Sequence, residues 1–139
     1  DLNPSTSKII EVVPKALWDR TDEELAFTFN GPATRLDNHG EGTHRVKTIT
    51  IDDIVSYYKL PKIDFIKMDI EGAELKALQG AEDTLLRFKP SLAISLYHKD
   101  SDFIDIPKYL ANLDLGYKFY LDHFTVYKNE TVLYACART

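Results

Sequence analysis

IDFIKMDIEGAE, residues Ile63–Glu74, is the stretch that decides the fold of this 139-residue chain. Its first half is an apolar segment that predicts a buried strand. Three carboxylates, on Asp69, Glu71 and Glu74, then gather around Gly72, where the strand gives way to a helix. In open α/β sheets, ligands bind beyond the carboxyl ends of the strands. The stretch therefore predicts an α/β fold with a functional site at this junction.

The residues that follow alternate between helical and strand patterns. Leucines at helical spacing predict a helical segment over Gly72–Phe88, kinked or divided at Gly80, and Ser91–Tyr97 is predicted to be a second buried strand. Asp105–Leu115 has the pattern of an amphipathic helix. The C-terminal residues, from 117 to 137, predict two strands joined in a hairpin. This alternation predicts a mostly parallel sheet that ends in an antiparallel hairpin.

The residues before the central stretch predict shorter elements. Strands are predicted at Lys8–Pro14, Leu25–Phe29 and Arg45–Ile51. Asn30–Thr43 carries three glycines and no apolar period, which is typical of a loop. Asp52–Tyr58 is predicted to be a short helix with acidic residues at its start.

Composition limits the class of protein. The length suits one domain, residues 1–139, and 44% apolar residues are ordinary for a globular fold. A net charge of −5 without a basic run argues against nucleic acid or an anionic membrane as a partner. The single cysteine, Cys136, excludes an internal disulfide and agrees with a cytoplasmic location.

The stretch from Ile63 to His98 resembles the second half of the FkbM family of S-adenosylmethionine-dependent methyltransferases. Val12–Asp19 and Val46–Val55 resemble the same family more weakly, so that the resemblance covers Ile9–Ala135. The residues that carry the central resemblance are Asp64, Lys67, Asp69, Glu71-Gly72-Ala73-Glu74, Lys89-Pro90 and Tyr97-His98. The resemblance implies a Rossmann-like class I methyltransferase sheet.

This resemblance also implies an activity. Family members transfer a methyl group from S-adenosylmethionine to oxygen, and their acceptors are typically hydroxyls of natural products or saccharides. The glycine-rich turn after a strand, which approaches the cofactor in such folds, does not occur in this sequence. We therefore expect the C-terminal part of a longer enzyme, a partial methyltransferase domain that is inactive in isolation. The alternative is a non-catalytic Rossmann-like binding or assembly module.

The site residues follow from the resemblance together with their positions. Asp69 is predicted to face the methyl-transfer cleft as a catalytic and cofactor-binding residue, or to cap the helix. Glu71 is predicted to be catalytic, and Glu74 to bind substrate, although the helix dipole alone favours acidic residues there. His98 is predicted to accept the proton of the acceptor hydroxyl, the alternative being a hydrogen-bonded histidine at a strand end.

Two further expectations concern the cofactor. Asp19 lies where the superfamily carries an acid that contacts adenine, the alternative being a solvated loop residue. No resident metal is expected. The alternative that the three carboxylates and His98 hold a hard cation such as Mg²⁺ stays open.

The predicted central strand, Ile63–Met68, has an expected neighbour that is missing. In the superfamily's sheet this strand pairs on one side with the first strand of the domain. An unpaired apolar edge is a template for another chain. We therefore expect the edge to be covered, either by self-association or by re-routing of Lys8–Phe29.

Overall fold

Eight strands and four helices form the part of the chain that the computed structural model describes, namely residues 9–28, 35–36, 42, 44–126 and 130–137. The strands are β1 (Ala16–Leu17), β2 (Glu24–Thr28), β3 (Arg35–Leu36), β4 (His44–Ile49), β5 (Phe65–Met68), β6 (Ser91–Ser95), β7 (Lys118–His123) and β8 (Thr131–Cys136). The helices are α1 (Ile51–Tyr57), α2 (Glu74–Gln79), α3 (Glu82–Phe88) and α4 (Asp102–Asn112).

The strands form two sheets rather than one. The C-terminal sheet has the order β5-β6-β8-β7, and the N-terminal sheet has the order β1-β4-β2-β3. Only the pairs β5/β6 and β1/β4 are parallel among the described strands. The α/β class is thus correct, whereas a mostly parallel sheet is not what forms.

Connection length explains two of the four antiparallel pairs among the described strands. The strand pairs β2/β3 and β7/β8 are joined by short segments, which permit antiparallel pairing but not a parallel crossover. The parallel pair β5/β6, in contrast, is bridged by α2 and α3. The predicted C-terminal antiparallel hairpin is present as β7 and β8, and its turn at residues 127–129 lies outside the described residues.

The N-terminal predictions need one correction. Residues 9–14 of the predicted strand Lys8–Pro14 form no strand, and a two-residue strand follows them instead. The side chains of Ile9 and Val12 are 83% and 75% exposed, so they do not pack against a sheet. Pro14 in addition lacks an N–H for a ladder. The predicted loop Asn30–Thr43 lies outside the described residues except at positions 35–36 and 42.

The main core lies between the helices and the C-terminal sheet. Its buried members are apolar, and most of them lie on the inner faces of the four helices and along β5, β6 and β8. They include Met68, Ala77, Leu78, Leu85, Leu92, Ile94, Ile106, Leu110 and Leu133. Burial of each large aliphatic side chain contributes about 1.5–3 kcal/mol. This packing fixes the carboxyl ends of β5 and β6 relative to α2.

The predicted helical segment Gly72–Phe88 is divided at Gly80, as expected. A Cβ at Gly80 would run into the carbonyl oxygen of Trp18, so the position has no room for a side chain. Lys76 of α2 reaches back to pair with Asp19 at 2.6 Å. The break between the two helices is therefore a contact point for the residues that follow β1.

A second contact joins α1 to the start of α3. The Asp52 carboxylate accepts hydrogen bonds from the backbone N–H groups of Asp83 (3.1 Å) and Thr84 (2.8 Å), and from the Thr84 hydroxyl. Helix α3 has no cap from its own preceding residue, Ala81. A side chain from another helix thus satisfies donors that a helix start leaves unpaired.

β5 is an edge strand in the described structure. It pairs with β6 alone, and Phe65 at its start is 56% exposed. The expected re-routing of Lys8–Phe29 onto this edge is wrong for the described residues, because β1 and β2 both pair with β4. Self-association through the edge stays a prediction.

Candidate functional site

Parallel pairing brings the ends of β5 and β6 side by side. Met68 is the partner of Ile94 in the register, so the residues that follow each strand leave the sheet at the same edge. Asp69 follows β5 directly, and His98 follows β6 by three residues. Asp69, Glu71, Glu74 and His98 meet there, and we call them the carboxylate–histidine cluster.

The turn from β5 to α2 has an unusual backbone. Glu71 has a φ of 58° and Gly72 a φ of 90°, both in the left-handed region. A non-glycine residue in that region is uncommon, and such strain concentrates at functional sites. A Cβ at Gly72 would meet Lys99 Cε at 3.0 Å, and the Lys99 ammonium donates a hydrogen bond to the Gly72 carbonyl. The Lys99 side chain thus packs against the turn at Gly72.

Glu74 is the innermost member of the cluster. It is the first residue of α2, and its side chain is fully buried. Its Oε1 accepts a hydrogen bond from the Ile70 N–H at 2.8 Å and lies 2.9 Å from His98 Nδ1. The 2.9 Å contact with His98 does not count as a hydrogen bond, which leaves the buried His98 Nδ1 without a hydrogen-bond partner. The other carboxylate oxygen, Glu74 Oε2, is also buried without one.

His98 lies between the inner and outer carboxylates. Its side chain is only 10% exposed. Its Nε2 lies 3.7 Å from Asp69 Oδ1 and 3.6 Å from Glu71 Oε2, whereas its Nδ1 lies 2.9 Å from Glu74 Oε1. The structure therefore brings three of the predicted site carboxylates together around the imidazole of a fourth predicted site residue.

Asp69 is held in its ionised form by its neighbours. Burial opposes ionisation, but hydrogen bonds from Tyr97 and Ser95 and the charges of Lys67 and His98 outweigh it and lower the pKa of the Asp69 carboxyl. The Tyr97 hydroxyl donates to Asp69 Oδ1 at 2.8 Å. Burial, followed by this hydrogen bond and the charge of Asp69, raises the pKa of Tyr97 to about 12.

Asp69 does not cap the helix. The N-cap of α2 is Ala73, whose side chain offers no acceptor. Glu74 accepts the backbone N–H of Ile70 instead. The alternative role weighed for Asp69 from the sequence, that of a helix cap, is therefore wrong, and its carboxylate remains available at the strand end.

A cavity of about 540 Å³ adjoins the cluster. Apolar residues of the N-terminal sheet and of the β5–α2 turn line most of it, among them Leu17, Trp18, Ile49 and Ile70. Glu71 lines the cavity and also contacts His98. Its size is that of a small-molecule pocket. Glu71 thus connects an apolar cavity to the polar cluster.

Asp19 is not brought to the cluster. Its carboxylate pairs with Lys76 at 2.6 Å, and its side chain is only 17% exposed. The neighbouring Trp18 lines the cavity, and the Lys76 ammonium lies 5.9 Å from the centre of the Trp18 ring. Asp19 is therefore not a solvated loop acid, and it lies next to a residue of the cavity wall. Its contact with adenine stays a prediction.

Two contacts at the site were not predicted from the sequence. Tyr97 donates to Asp69, and Lys99 closes over Gly72. Both flank His98 directly, so strand pairing carries them to the turn together with it. A polar residue on either side of a predicted strand-end histidine was the available signal.

Known proteins that are similar to this chain are methyltransferases. The sequence profile described as "Methyltransferase FkbM domain" matches residues 5–119. Hexuronic acid methyltransferase AglP of Haloferax volcanii is 33% identical over 76 residues, which cover 55% of this chain and 31% of that protein.

A solved structure agrees with the fold. The crystal structure of methyltransferase FkbM from Methylobacillus flagellatus matches with a TM-score of 0.70 and 30% sequence identity. The match covers 96% of this chain and 30% of that one. The chain thus spans about a third of the length of the relatives it matches. In the described part of the chain, no helix has the length and apolar character needed to cross a membrane.

Proposed function

Since the chain belongs to the FkbM methyltransferase family, we propose that it serves the transfer of a methyl group from S-adenosylmethionine to the oxygen of a hydroxyl-bearing acceptor. The observation that carries the proposal is the approach of Asp69 and Glu71 to within 3.7 Å of His98 Nε2, beside an apolar cavity. Polar groups for an acceptor and a cavity for a cofactor are thereby adjacent.

The cavity fits the cofactor in size and chemistry. Its 540 Å³ and its apolar walls suit an adenosyl group, with Trp18 and Ile49 as wall residues. Glu71 at its rim and Asp69 beside it would bind the polar groups of the cofactor. We assign Asp19 a supporting role through Lys76. S-adenosylmethionine supplies a methyl group that is already activated as a sulfonium.

The residues of this chain would then orient the acceptor and take up its proton. Asp69 is 39% exposed and Glu71 46%, so both carboxylates can reach an acceptor hydroxyl, whereas His98 is the inner member that contacts both. Alignment of the reacting atoms is a large part of what such an enzyme must provide. We propose that the proton of the hydroxyl passes to this cluster.

Glu74 has a different role in this proposal. Substrate binding was predicted for it, but its fully buried side chain presents no surface to an acceptor. Its Oε1 instead holds the Ile70 N–H and faces His98. We propose that Glu74 positions the turn and the imidazole.

We propose a saccharide as the acceptor class. The relative from Haloferax volcanii is named as a methyltransferase of hexuronic acid. A cluster of carboxylates suits the hydroxyl groups of a sugar, since carboxylates accept hydrogen bonds from several hydroxyls at once. Lys67, 3.6 Å from Asp69, supplies a positive charge at the outer edge of the cluster for an acidic sugar.

The test is a methyl-transfer assay with the full protein. Isotope-labelled S-adenosylmethionine is offered with a panel of neutral saccharides, uronic-acid saccharides and hydroxylated natural products. We expect labelled product with a saccharide, loss of that product in Asp69→Asn, and no change in Asp105→Asn, which alters an exposed aspartate on α4. Absence of both transfer and cofactor binding by calorimetry would favour the non-catalytic binding module.

A further inference from the structure

We propose that Asp69, Glu74 and His98 form a binding site for a divalent transition-metal cation. One ligand atom from each of the three residues lies within 4.8 Å of those from the other two. Two carboxylates and an imidazole are ligand types that such cations use in proteins. The three side chains come from the end of β5, the start of α2 and the end of β6, so elements of the packed core position them.

Two unpartnered atoms point to a ligand at this place. Glu74 Oε2 and His98 Nδ1 are both buried and have no hydrogen-bond partner. The Glu74 side chain is fully buried, and the His98 side chain is 10% exposed. Buried polar groups without partners are rare and costly, and each calls for an explanation. A cation bound among the three side chains would be a partner for such atoms, because each offers a lone pair.

The local charge favours a cation as the missing group. Within the described part of the chain, no lysine or arginine forms an ion pair with Glu74, although its carboxylate is fully buried. Lys99 donates to the Gly72 carbonyl, and Lys67 lies 3.6 Å from the outer oxygen of Asp69. Burial of a charge without a partner is unfavourable, and a bound cation would be such a partner for this carboxylate.

The ligand set selects the kind of cation. Mg²⁺ prefers oxygen ligands and retains several waters. An imidazole suits metals such as Zn²⁺ and Fe²⁺, and the two carboxylates of the set also suit Mn²⁺, which serves as the spectroscopic probe. Because one of the three ligands is His98, the site fits a transition metal better than the Mg²⁺ considered from the sequence. Glu71 lies outside this ligand set and keeps its carboxylate at the rim of the cavity.

The cation site shares Asp69 and His98 with the proposed methyl-transfer site, but it is tested without a methyl donor. The full protein is stripped of metal with a chelator and titrated with Mn²⁺, while electron paramagnetic resonance reports the free and bound ion. Pulsed measurements then detect the ¹⁴N nuclei of a ligating imidazole. Four proteins are compared: wild type, Asp69→Asn, His98→Gln and the exposed control Asp105→Asn.

We expect wild type and the Asp105→Asn control to bind Mn²⁺ alike, with a ¹⁴N signal from an imidazole. Asp69→Asn and His98→Gln should weaken binding by roughly 10- to 100-fold or more, since even residues behind a ligand have effects of this size. The ¹⁴N signal should disappear in His98→Gln. After removal of metal, the variants should keep the circular dichroism spectrum of the wild type. This control separates loss of binding from loss of folding.

Three results would overturn the proposal. The first is the absence of Mn²⁺ binding to the wild type at millimolar concentration. The second is binding that Asp69→Asn leaves unchanged. The third is bound Mn²⁺ without a ¹⁴N signal. None of these results bears on methyl transfer, so failure of the cation site and failure of the proposed function are distinguishable.

Discussion

His98 Nδ1 lies 2.9 Å from Oε1 of Glu74, a carboxylate that is fully buried at the first residue of α2. This contact ties the end of one strand to the start of the helix that follows its neighbour. It also places the imidazole with one nitrogen inward and the other toward the exposed carboxylates of Asp69 and Glu71. Glu74 is therefore enclosed in the protein, whereas the carboxylates of Asp69 and Glu71 are accessible to solvent.

Glu74→Ala should destabilise the protein more than Glu74→Gln. Alanine leaves the Ile70 N–H without its acceptor, which costs about 1–3 kcal/mol, whereas glutamine retains an oxygen at that place. Urea denaturation gives the free energy of unfolding of both variants. Equal losses for the two would contradict the assigned hydrogen bond.

Asp69→Asn should lower turnover far more than stability. The variant removes the charge that faces the acceptor, and loss of an acid–base group typically costs about 10²–10⁴-fold in rate. The free energy of unfolding should change by only about 1 kcal/mol, because the amide can still accept from Tyr97. Steady-state kinetics of the full protein measure the first quantity and urea denaturation the second. Normal turnover would remove Asp69 from the site.

Asp52→Ala should destabilise the start of α3. Its carboxylate accepts from the N–H groups of Asp83 and Thr84, and loss of a capping side chain costs about 0.5–2 kcal/mol. The control is Asp83→Ala, which removes an acidic side chain from the first turn of the same helix and should cost less than about 1 kcal/mol. Thermal or urea unfolding ranks the two, and a larger effect at the control position would refute the cap.

Tyr117 should make stability fall at alkaline pH. Burial, followed by the charge of Cys136, raises its pKa from 10.0 to about 12, and its hydroxyl donates to the Pro90 carbonyl at 2.8 Å. A raised pKa in the folded state means that the contribution is fully present below pH 10 and is lost as the pH rises through about 12. Unfolding free energies of wild type and Tyr117→Phe, compared across that range, should converge with rising pH. A constant difference would show that the phenol does not titrate as described.

The open edge of β5 should support association between chains. Phe65 on this strand is 56% exposed, and β5 pairs with β6 alone among the described strands. A lysine on an edge strand opposes edge-to-edge pairing. Phe65→Lys should therefore reduce concentration-dependent association in light scattering, and Phe103→Lys, at a 42% exposed position on α4, should not. A wild-type protein that scatters as a monomer at all concentrations would contradict the expectation.

The sequence predicted which side chains meet at the strand ends better than it predicted the pairing of the strands. The order of apolar strand, acidic turn and helix is local, so IDFIKMDIEGAE located the turn that brings three carboxylates together. His98 was placed correctly because parallel neighbours end at one edge. The antiparallel pairing of β2 with β4, in contrast, depends on contacts between residues about twenty positions apart, which no local pattern reports.

Asp19 and Glu74 show why side-chain roles were harder to predict. Both are acidic residues beside a predicted strand or helix, and both were expected to face ligands. Asp19 pairs with Lys76, 57 positions away, and Glu74 is fully buried, where it contacts His98 and the Ile70 N–H. Burial and long-range pairing arise only when the elements are packed together, so a short pattern cannot distinguish an inward carboxylate from an outward one.

The break between α2 and α3 has a consequence for how the molecule unfolds. Trp18 lies against Gly80, Asp19 holds Lys76, and the Asp52 N–H donates to the Gly80 carbonyl. These contacts join the N-terminal sheet to the helices that cover the C-terminal sheet at one point. Opening of either sheet would expose that shared point, so the two should lose their amide protection together as one cooperative unit rather than as separate subdomains.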